Sequence, residues 1–409
     1  MKNVVLLTID ALRKDALGCY AKSGDLSPFI DSLEERCVRF SNAYSTGPYT
    51  EAAFPAILSS SFYLEYGRQK RLSEKRLLIS EVLKRCGITT AAFHSNPFIS
   101  GYFGWNRGWD VFYDSLTDEV DERIPYIKAS EINKKVSSWL ASHLEKGSGR
   151  PFFLWVHYMD VHEPYVPERK YLDLVDPSMQ LSLNDMMKLF SEVLVRRSIS
   201  DAHAIATLRK LYQAHVREVD EAVKELFLML GERDILKDTK IVITSDHGDE
   251  FGEHGGLSHD GKMYCELVNV PMIICEPDRN GLMECDRLVS TLDIAPTIVH
   301  WFDLEPVAQF EGFSLFPTEA YPAKGVFGEA VDKRGRHEKG DEKEIHFYRE
   351  GNLKIIYSDR SGSWELYDLV SDPKETENLV DTSPKAEQMK DMIRPRVKRN
   401  ERRLQRYDN

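Results

Sequence analysis

The chain has 409 residues, of which 42% are hydrophobic and 29% charged, and its formal net charge is −12 at pH 7. This composition excludes a disordered or fibrous chain and suits a soluble globular protein, with one main domain and an appendage. The acidic excess gives a nucleic-acid partner no electrostatic support, and no apolar run approaches the length of a membrane span.

Val4 to Ile9 is an apolar, partly β-branched run that stops abruptly at Asp10. It reads as a buried strand whose carboxyl end carries an acid. Ser27 to Arg39 reads as a helix followed by a strand, and Ser41 to Ser60 as a loop entering a helix. An amphipathic helix is predicted over Leu78–Cys86, and strands over Thr89–Phe93 and Phe152–Tyr158, the latter running on to Asp160 and His162. Residues 163–200 look like a surface excursion without a strand. Ala204 to Leu230 places apolar residues at helical spacing. Ile241–Thr244 is a second apolar run, ending at Ser245, Asp246 and His247. The alternation continues through Met272–Ile274 and Ala295–His300. It predicts an α/β fold with a large, mostly parallel sheet flanked by helices. After about residue 305, Val326–Val331, Ile345–Arg349, Leu353–Tyr357 and Trp364–Asp368 are short runs between turn residues, which predicts a small C-terminal antiparallel sheet. The expected division is a catalytic domain over residues 1–310 and a subdomain over 311–409. The tail from Lys390 is locally basic and reads as a solvated or salt-bridging helix face.

The six cysteines form no CxxC pair, so they read as buried free thiols rather than a disulfide framework. A strand starting at residue 3, with no charged and apolar leader before it, leads to the expectation of a cytoplasmic protein.

In an open α/β sheet, ligands bind beyond the carboxyl ends of the strands. Asp10, Asp246 and His247 end two such strands and form an O, O, N donor set suited to Mn²⁺, Zn²⁺, Mg²⁺ or Ca²⁺. Thr50, before Glu51-Ala52-Ala53, reads locally as a helix N-cap.

Read in order, these blocks resemble the sulfatase family of the alkaline-phosphatase superfamily. The matching segments are Asp10-Ala11-Leu12-Arg13-Lys14-Asp15, Leu17–Tyr20, Ser27–Leu33, Arg39–Ser45, His157–Tyr165, Ser245–Gly255, His259–Ile274, Asp293–Thr297 and Glu365–Leu379. The resemblance implies the family's fold and hydrolysis of an anionic ester. It places Thr50 at the nucleophile position, as in the branches with a plain Thr, where phosphodiesterases and phosphonate monoester hydrolases fall. The family's formylglycine motif, C/S-x-P-x-R, is absent: Ala52 and Phe54 stand where its proline and arginine would be. An acidic ligand usual after the first Asp is here Ala11. The implied metal ligands are Asp10, Thr50, Asp246 and His247, around one divalent ion, with Mn²⁺ expected first.

His162 and His259 match family histidines that contact the anion or protonate the leaving group, work that suits an imidazole. Asn96 and Lys262 are the expected substrate-binding residues. His157, Asp160, Glu253 and His254 are expected to support the ligands from behind. A second metal on Asp160, His162 and His259 is the lesser alternative. The expected function is a metal-dependent hydrolase of phosphodiesters, phosphonate monoesters or sulfate esters, acting through a covalent Thr50 intermediate. Its partner would be a small-molecule or glycan-linked anionic ester, and a homo-oligomer is compatible with all of this. The rivals are a phosphoglycerol- or phosphoethanolamine-type transferase, a sulfatase that needs no formylglycine, and a metal-binding scaffold without activity.

Overall fold

The computed structural model describes residues 3–21, 25–67, 71–120, 124–145, 150–196, 201–259, 261–277, 279, 281–333 and 343–407. Asp260 and the last two residues of the basic tail, 408–409, lie outside them, as do residues 197–200 of the expected surface excursion.

The strands are β1 (Asn3–Ile9), β2 (Cys37–Tyr44), β3 (Thr89–Phe93), β4 (Val111–Tyr113), β5 (Phe152–Tyr158), β6 (Thr239–Thr244), β7 (Glu250–Phe251), β8 (Leu257–Ser258), β9 (Met272–Cys275) and β10 (Met283–Ser290). Eight of them form one sheet in the order β10-β2-β9-β6-β1-β5-β3-β4. Within it, β9 runs antiparallel to its neighbours β2 and β6, and the other pairings are parallel. β7 and β8 form a separate two-stranded hairpin just beyond β6.

Both faces of β1 are buried. Val5, Leu7 and Ile9 join a core with the helices Ala129–Glu145 and Ala202–Glu232. Val4 and Leu6 join another with the helices Thr50–Ser59, Ile79–Arg85 and Ile294–Trp301. A strand covered on both sides gains from apolar residues at every position, which is why it reads as a continuous run.

The C-terminal strands β11 (Val326–Val331), β12 (Glu344–Glu350), β13 (Leu353–Ser358) and β14 (Ser363–Asp368) make an antiparallel meander. One face, with Ile345, Phe347 and Ile356, packs on Tyr44, Tyr49 and Leu267 of the main body. The other packs on Met389 and Ile393 of the terminal helix Ala386–Tyr407. Of the basic tail, Lys390 and Arg394 pair with Glu387, while Arg396 lies over the rings of Phe62 and Phe327.

Several expectations are corrected. The excursion contains two helices, Arg169–Val175 and Leu183–Arg196. Ala129–Glu145 and β10 occupy stretches for which no element was predicted. Cys37 and Cys275 are joined by a disulfide and so are not free thiols. They face each other across the antiparallel β2–β9 pair, with Cα atoms 4.1 Å apart, a contact that 238 residues of separation hide in the sequence. Cys86 is free but exposed. Among the described residues no helix is long and apolar enough to cross a membrane.

Candidate metal and ester site

Asp10 leaves β1 at the carboxyl edge of the sheet, its amide donating to the Tyr158 carbonyl at 2.9 Å. The next residue, Ala11, has φ 56, a left-handed conformation uncommon without glycine. It is held there by Tyr212, whose hydroxyl donates to the Ala11 carbonyl at 3.0 Å. This sharp exit turns the chain away and leaves the Asp10 carboxylate at the edge.

β6 lies beside β1, and Asp246 and His247 emerge two and three residues past its end. Asp246 Oδ1 accepts from the His247 amide at 3.0 Å. His247 Nδ1 is 2.9 Å from the Gly248 carbonyl oxygen. A carbonyl only accepts, so Nδ1 carries the proton and Nε2 presents a lone pair. That Nε2 sits 3.5 Å from Asp10 Oδ1, 3.5 Å from Asp246 Oδ2 and 3.5 Å from Thr50 Oγ1.

Thr50 opens the Thr50–Ser59 helix, and Tyr49 takes the cap position. The Thr50 hydroxyl therefore does not cap the helix. It faces Asp10 Oδ2 at 3.5 Å. Asn96 Nδ2 donates to the same Asp10 oxygen at 2.8 Å and reaches Thr50 Oγ1 at 3.4 Å. His157 Nε2 approaches Asp10 Oδ2 at 3.2 Å, and its Nδ1 faces the Thr8 hydroxyl at 2.9 Å. Phe54, where the formylglycine motif would carry arginine, packs edge-on against the His157 ring at 5.1 Å.

Asp10 Oδ1 and Asp246 Oδ2 are fully buried and have no hydrogen-bond partner. Two orphaned carboxylate oxygens face an imidazole lone pair, and Asp10, Asp246 and His247 can offer ligand atoms within 4.8 Å of one another. Such oxygens are costly unless a cation neutralises them, so the donor set fits a divalent ion. Burial and the neighbouring Asp10 charge push the Asp246 carboxyl well up. Burial also works against Asp10, but His162, His157 and His247 outweigh it and hold its carboxyl well below the usual range.

His162 and His259 extend the cluster. The ring of His259 lies 4.5 Å from that of His247, and that of His162 5.0 Å from that of His259. His162 Nδ1 donates to the Glu163 carbonyl at 2.6 Å. Burial opposes charge on both. Asp10 overcomes it at His162, which rises to about 9, while the neighbouring imidazoles of His247 and His162 add to it at His259, which falls to about 3.

Asp249, given no role by sequence reasoning, accepts from His259 Nδ1 at 2.7 Å and from the Tyr165 hydroxyl. It orients the imidazole. The signal was its place two residues after His247. Arg13 ties the same loop down, donating to the Asp249 carbonyl at 2.7 Å and to Glu253 at 2.8 Å.

Lys262 stands apart: its ammonium donates to Glu250 at 2.6 Å and to the His254 carbonyl at 2.8 Å. His254 stacks on Tyr264 with ring centroids 3.5 Å apart. Asp160 accepts from the Ala129 amide at 2.8 Å at the start of a helix, so the second metal set with His162 and His259 is not assembled among the described residues.

Gly248 carries the ligand loop through a narrow gap. A Cβ there would lie 2.1 Å from the Glu266 carbonyl oxygen, a backbone atom that cannot swing aside. Gly248→Ala is expected to shift His247 and weaken divalent-ion affinity by about tenfold or more, at a stability cost of roughly 1–3 kcal/mol. Metal titration beside a thermal melt checks this, and unchanged affinity would refute it.

These features set a cluster of buried acids and histidines, with a donor set that fits a divalent ion, at the carboxyl edge of the central α/β sheet. A model of the sulfatase family matches residues 2–304, and one described as N-sulphoglucosamine sulphohydrolase, C-terminal, matches residues 252–403. The chain belongs to the sulfatase family of the alkaline-phosphatase superfamily, a family of ester-bond hydrolases whose members use a divalent metal ion. An arylsulfatase of Clostridium perfringens is 21% identical over 474 residues, covering 99% of this chain and 95% of its own. The multifunctional alkaline phosphatase superfamily protein PehA of Trinickia caryophylli is 24% identical over 395 residues, covering 77% and 76%. Among solved structures, one in complex with its substrate D-glucosamine-2-N,6-O-disulfate superposes with a TM-score of 0.80 at 19% identity, over 98% of both chains. The phosphonate monoester hydrolase of Agrobacterium radiobacter gives 0.76 at 18% identity, over 97% of this chain and 95% of its own. At these identities the superpositions show the fold alone.

Proposed function

We propose that the protein is a metal-dependent hydrolase of phosphodiesters or phosphonate monoesters, acting through a covalent ester on Thr50. The observation that carries this reading is the meeting of the Thr50 hydroxyl, the His247 lone pair and two orphaned carboxylate oxygens. Asp10, Thr50, Asp246 and His247 would hold the ion, with Mn²⁺ favoured. When bound, that ion supplies positive charge that lowers the hydroxyl pKa and offsets charge on the ester. Thr50 Oγ1, its proton already lost to solvent, attacks phosphorus and forms the Thr50–phosphorus bond as the bond from phosphorus to the leaving oxygen breaks. His162, held protonated by Asp10, gives that oxygen its proton. Water then attacks phosphorus and frees Thr50, its proton passing to the same histidine. Asn96 and His157 donate to Asp10 Oδ2 and keep its other oxygen toward His247. We place this chemistry in residues 1–310, with 311–409 as the C-terminal subdomain.

The preference for phosphorus follows from the nucleophile. A formylglycine hydrate can expel sulfate by breaking down its own hemiacetal. A Thr50 ester has no such exit, so water must attack the central atom, which phosphorus tolerates when charge on its oxygens is stabilised. With Mn²⁺ or Zn²⁺ supplied, kcat/KM for a p-nitrophenyl phosphodiester or phosphonate monoester is expected to exceed that for p-nitrophenyl sulfate. A clear preference for the sulfate would replace this reading by a sulfatase that needs no formylglycine.

A further inference from the structure

On the face of β1 that meets the Thr50–Ser59 helix, side chains turn from apolar to polar toward the carboxyl end: Val4, Leu6, Thr8, then Asp10. The parallel register sets β5 alongside, with Phe153, Trp155 and His157 on the same face. Thr8, Asp10, Trp155 and His157 are fully buried. Val4 and Leu6 need only apolar neighbours there, whereas each polar group needs a partner.

Those partners form one chain. Trp155 Nε1 lies 3.0 Å from Thr8 Oγ1, and an indole N–H only donates, so Thr8 accepts. The hydroxyl proton of Thr8 then has two acceptors within reach, the Val156 carbonyl at 3.4 Å and His157 Nδ1 at 2.9 Å. The nitrogen is the closer and makes the stronger bond. On the other side of the ring, His157 Nε2 stands 3.2 Å from Asp10 Oδ2, a carboxylate oxygen that only accepts. One ring nitrogen thus receives a hydrogen bond and the other gives one. The rings are held in place around this chain. His94 stacks on Trp155 with centroids 5.1 Å apart, and Phe54 packs on Trp155 at 5.5 Å and on His157 at 5.1 Å.

We infer that Thr8 is a positioning residue for the ion: with Trp155 behind it, Thr8 fixes His157 with its proton on Nε2, and His157 in turn fixes which Asp10 oxygen faces the ion. This rests on the reading of Asp10 as a metal ligand. Asp10 Oδ2 takes hydrogen bonds from His157 and, at 2.8 Å, from Asn96. Oδ1 is the oxygen left without a partner, and it is the one 3.5 Å from His247 Nε2. Without the Thr8 hydroxyl, Nδ1 of His157 becomes a buried lone pair with no donor. The ring is then no longer held from behind, and Asp10 loses the support that sets its orientation. Thr8 acts through His157 and Asp10 rather than on the ester.

The test compares Thr8→Val, which keeps the branched shape and loses the hydroxyl, with Thr8→Ser, which keeps the hydroxyl. Affinity for Mn²⁺ is measured by competition with a chelating dye. The dissociation constant is expected to rise roughly 10–100-fold in Thr8→Val and to stay within about twofold of the wild type in Thr8→Ser. Unchanged affinity in Thr8→Val overturns the inference. So does a Thr8→Ser as weak as Thr8→Val, which would make the methyl group the cause. A second arm needs neither the ion nor a change at Thr8. Nitrogen NMR of the His157 ring, assigned by its loss in His157→Gln, is expected to show Nε2 protonated and Nδ1 bare in the ion-free wild type. A proton on Nδ1 overturns the inference. If the wild type binds no Mn²⁺, the metal reading of Asp10 fails by itself and takes the role of Thr8 in ion binding with it, while the proton position still reports the Thr8–His157 lock.

Discussion

Thr50→Ala is expected to lower kcat by about 10⁴-fold or more while leaving the fold intact. The hydroxyl lies 3.4–3.5 Å from Asn96, Asp10 and His247, distances too long for strong hydrogen bonds. Its loss therefore costs little stability, of order 1 kcal/mol or less. The helix does not depend on it, because Tyr49 holds the cap position. What the variant loses is the hydroxyl proposed to carry the ester. Rapid quenching followed by peptide mass analysis should find a phosphoryl adduct on the Thr50 peptide of the wild type during turnover, and none in the variant. Full kcat in Thr50→Ala would move the nucleophile elsewhere.

Asp246→Ala is expected to abolish tight divalent-ion binding. The wild type should carry about one ion per chain and the variant close to none, read by elemental analysis of purified protein. The physical reason is the pair of unpartnered oxygens, Asp10 Oδ1 and Asp246 Oδ2. Alone, one carboxylate and one imidazole make a poor site. Stability gives a second reading. Ion added at 100 times its dissociation constant should stabilise the wild type by about 2.7 kcal/mol and shift its melting temperature accordingly. The variant should not respond. Undiminished metal content in Asp246→Ala would remove Asp246 from the ligand set.

The parts of this fold that could be read in the sequence are those where one physical cause acts alone. β1, β3, β5 and β6 are covered by helices on both faces, and Phe93, Leu154 and Ile243 are there because water is not. β10 was missed because it lies at the sheet edge, where Glu284 and Asp286 interrupt the apolar pattern. The Ala129–Glu145 helix was missed although Ala129, Ile132, Val136 and Leu140 are buried at helical spacing, because the residues between them are polar. The Cys37–Cys275 bridge depends on β9 turning antiparallel between β2 and β6, which spacing does not announce.

At the site, Asp10, Asp246 and His247 were visible as acids and an imidazole ending strands, and the topology sets those strands side by side. Lys262 shows the limit of such reasoning. A lysine in a matching block is equally able to meet an anion or a buried acid, and only the approach of Glu250 decides. Asp249 shows the converse, a carboxylate whose part appears once His259 and Tyr165 converge on it.

The site draws its donors from distant parts of the polypeptide, with Ala11 and Asp246 in contact across 235 residues. At about 5–20 residues per second, a ribosome would release Asp10 roughly 12–47 s before Asp246. During that interval β1 lacks its β6 neighbour and the proposed donor set lacks Asp246 and His247. An ion held by the proposed set would therefore not guide the earliest steps of folding. On the proposed ligand set, loading follows the pairing of β1 with β6, so a retained ion would report that those two strands have found each other.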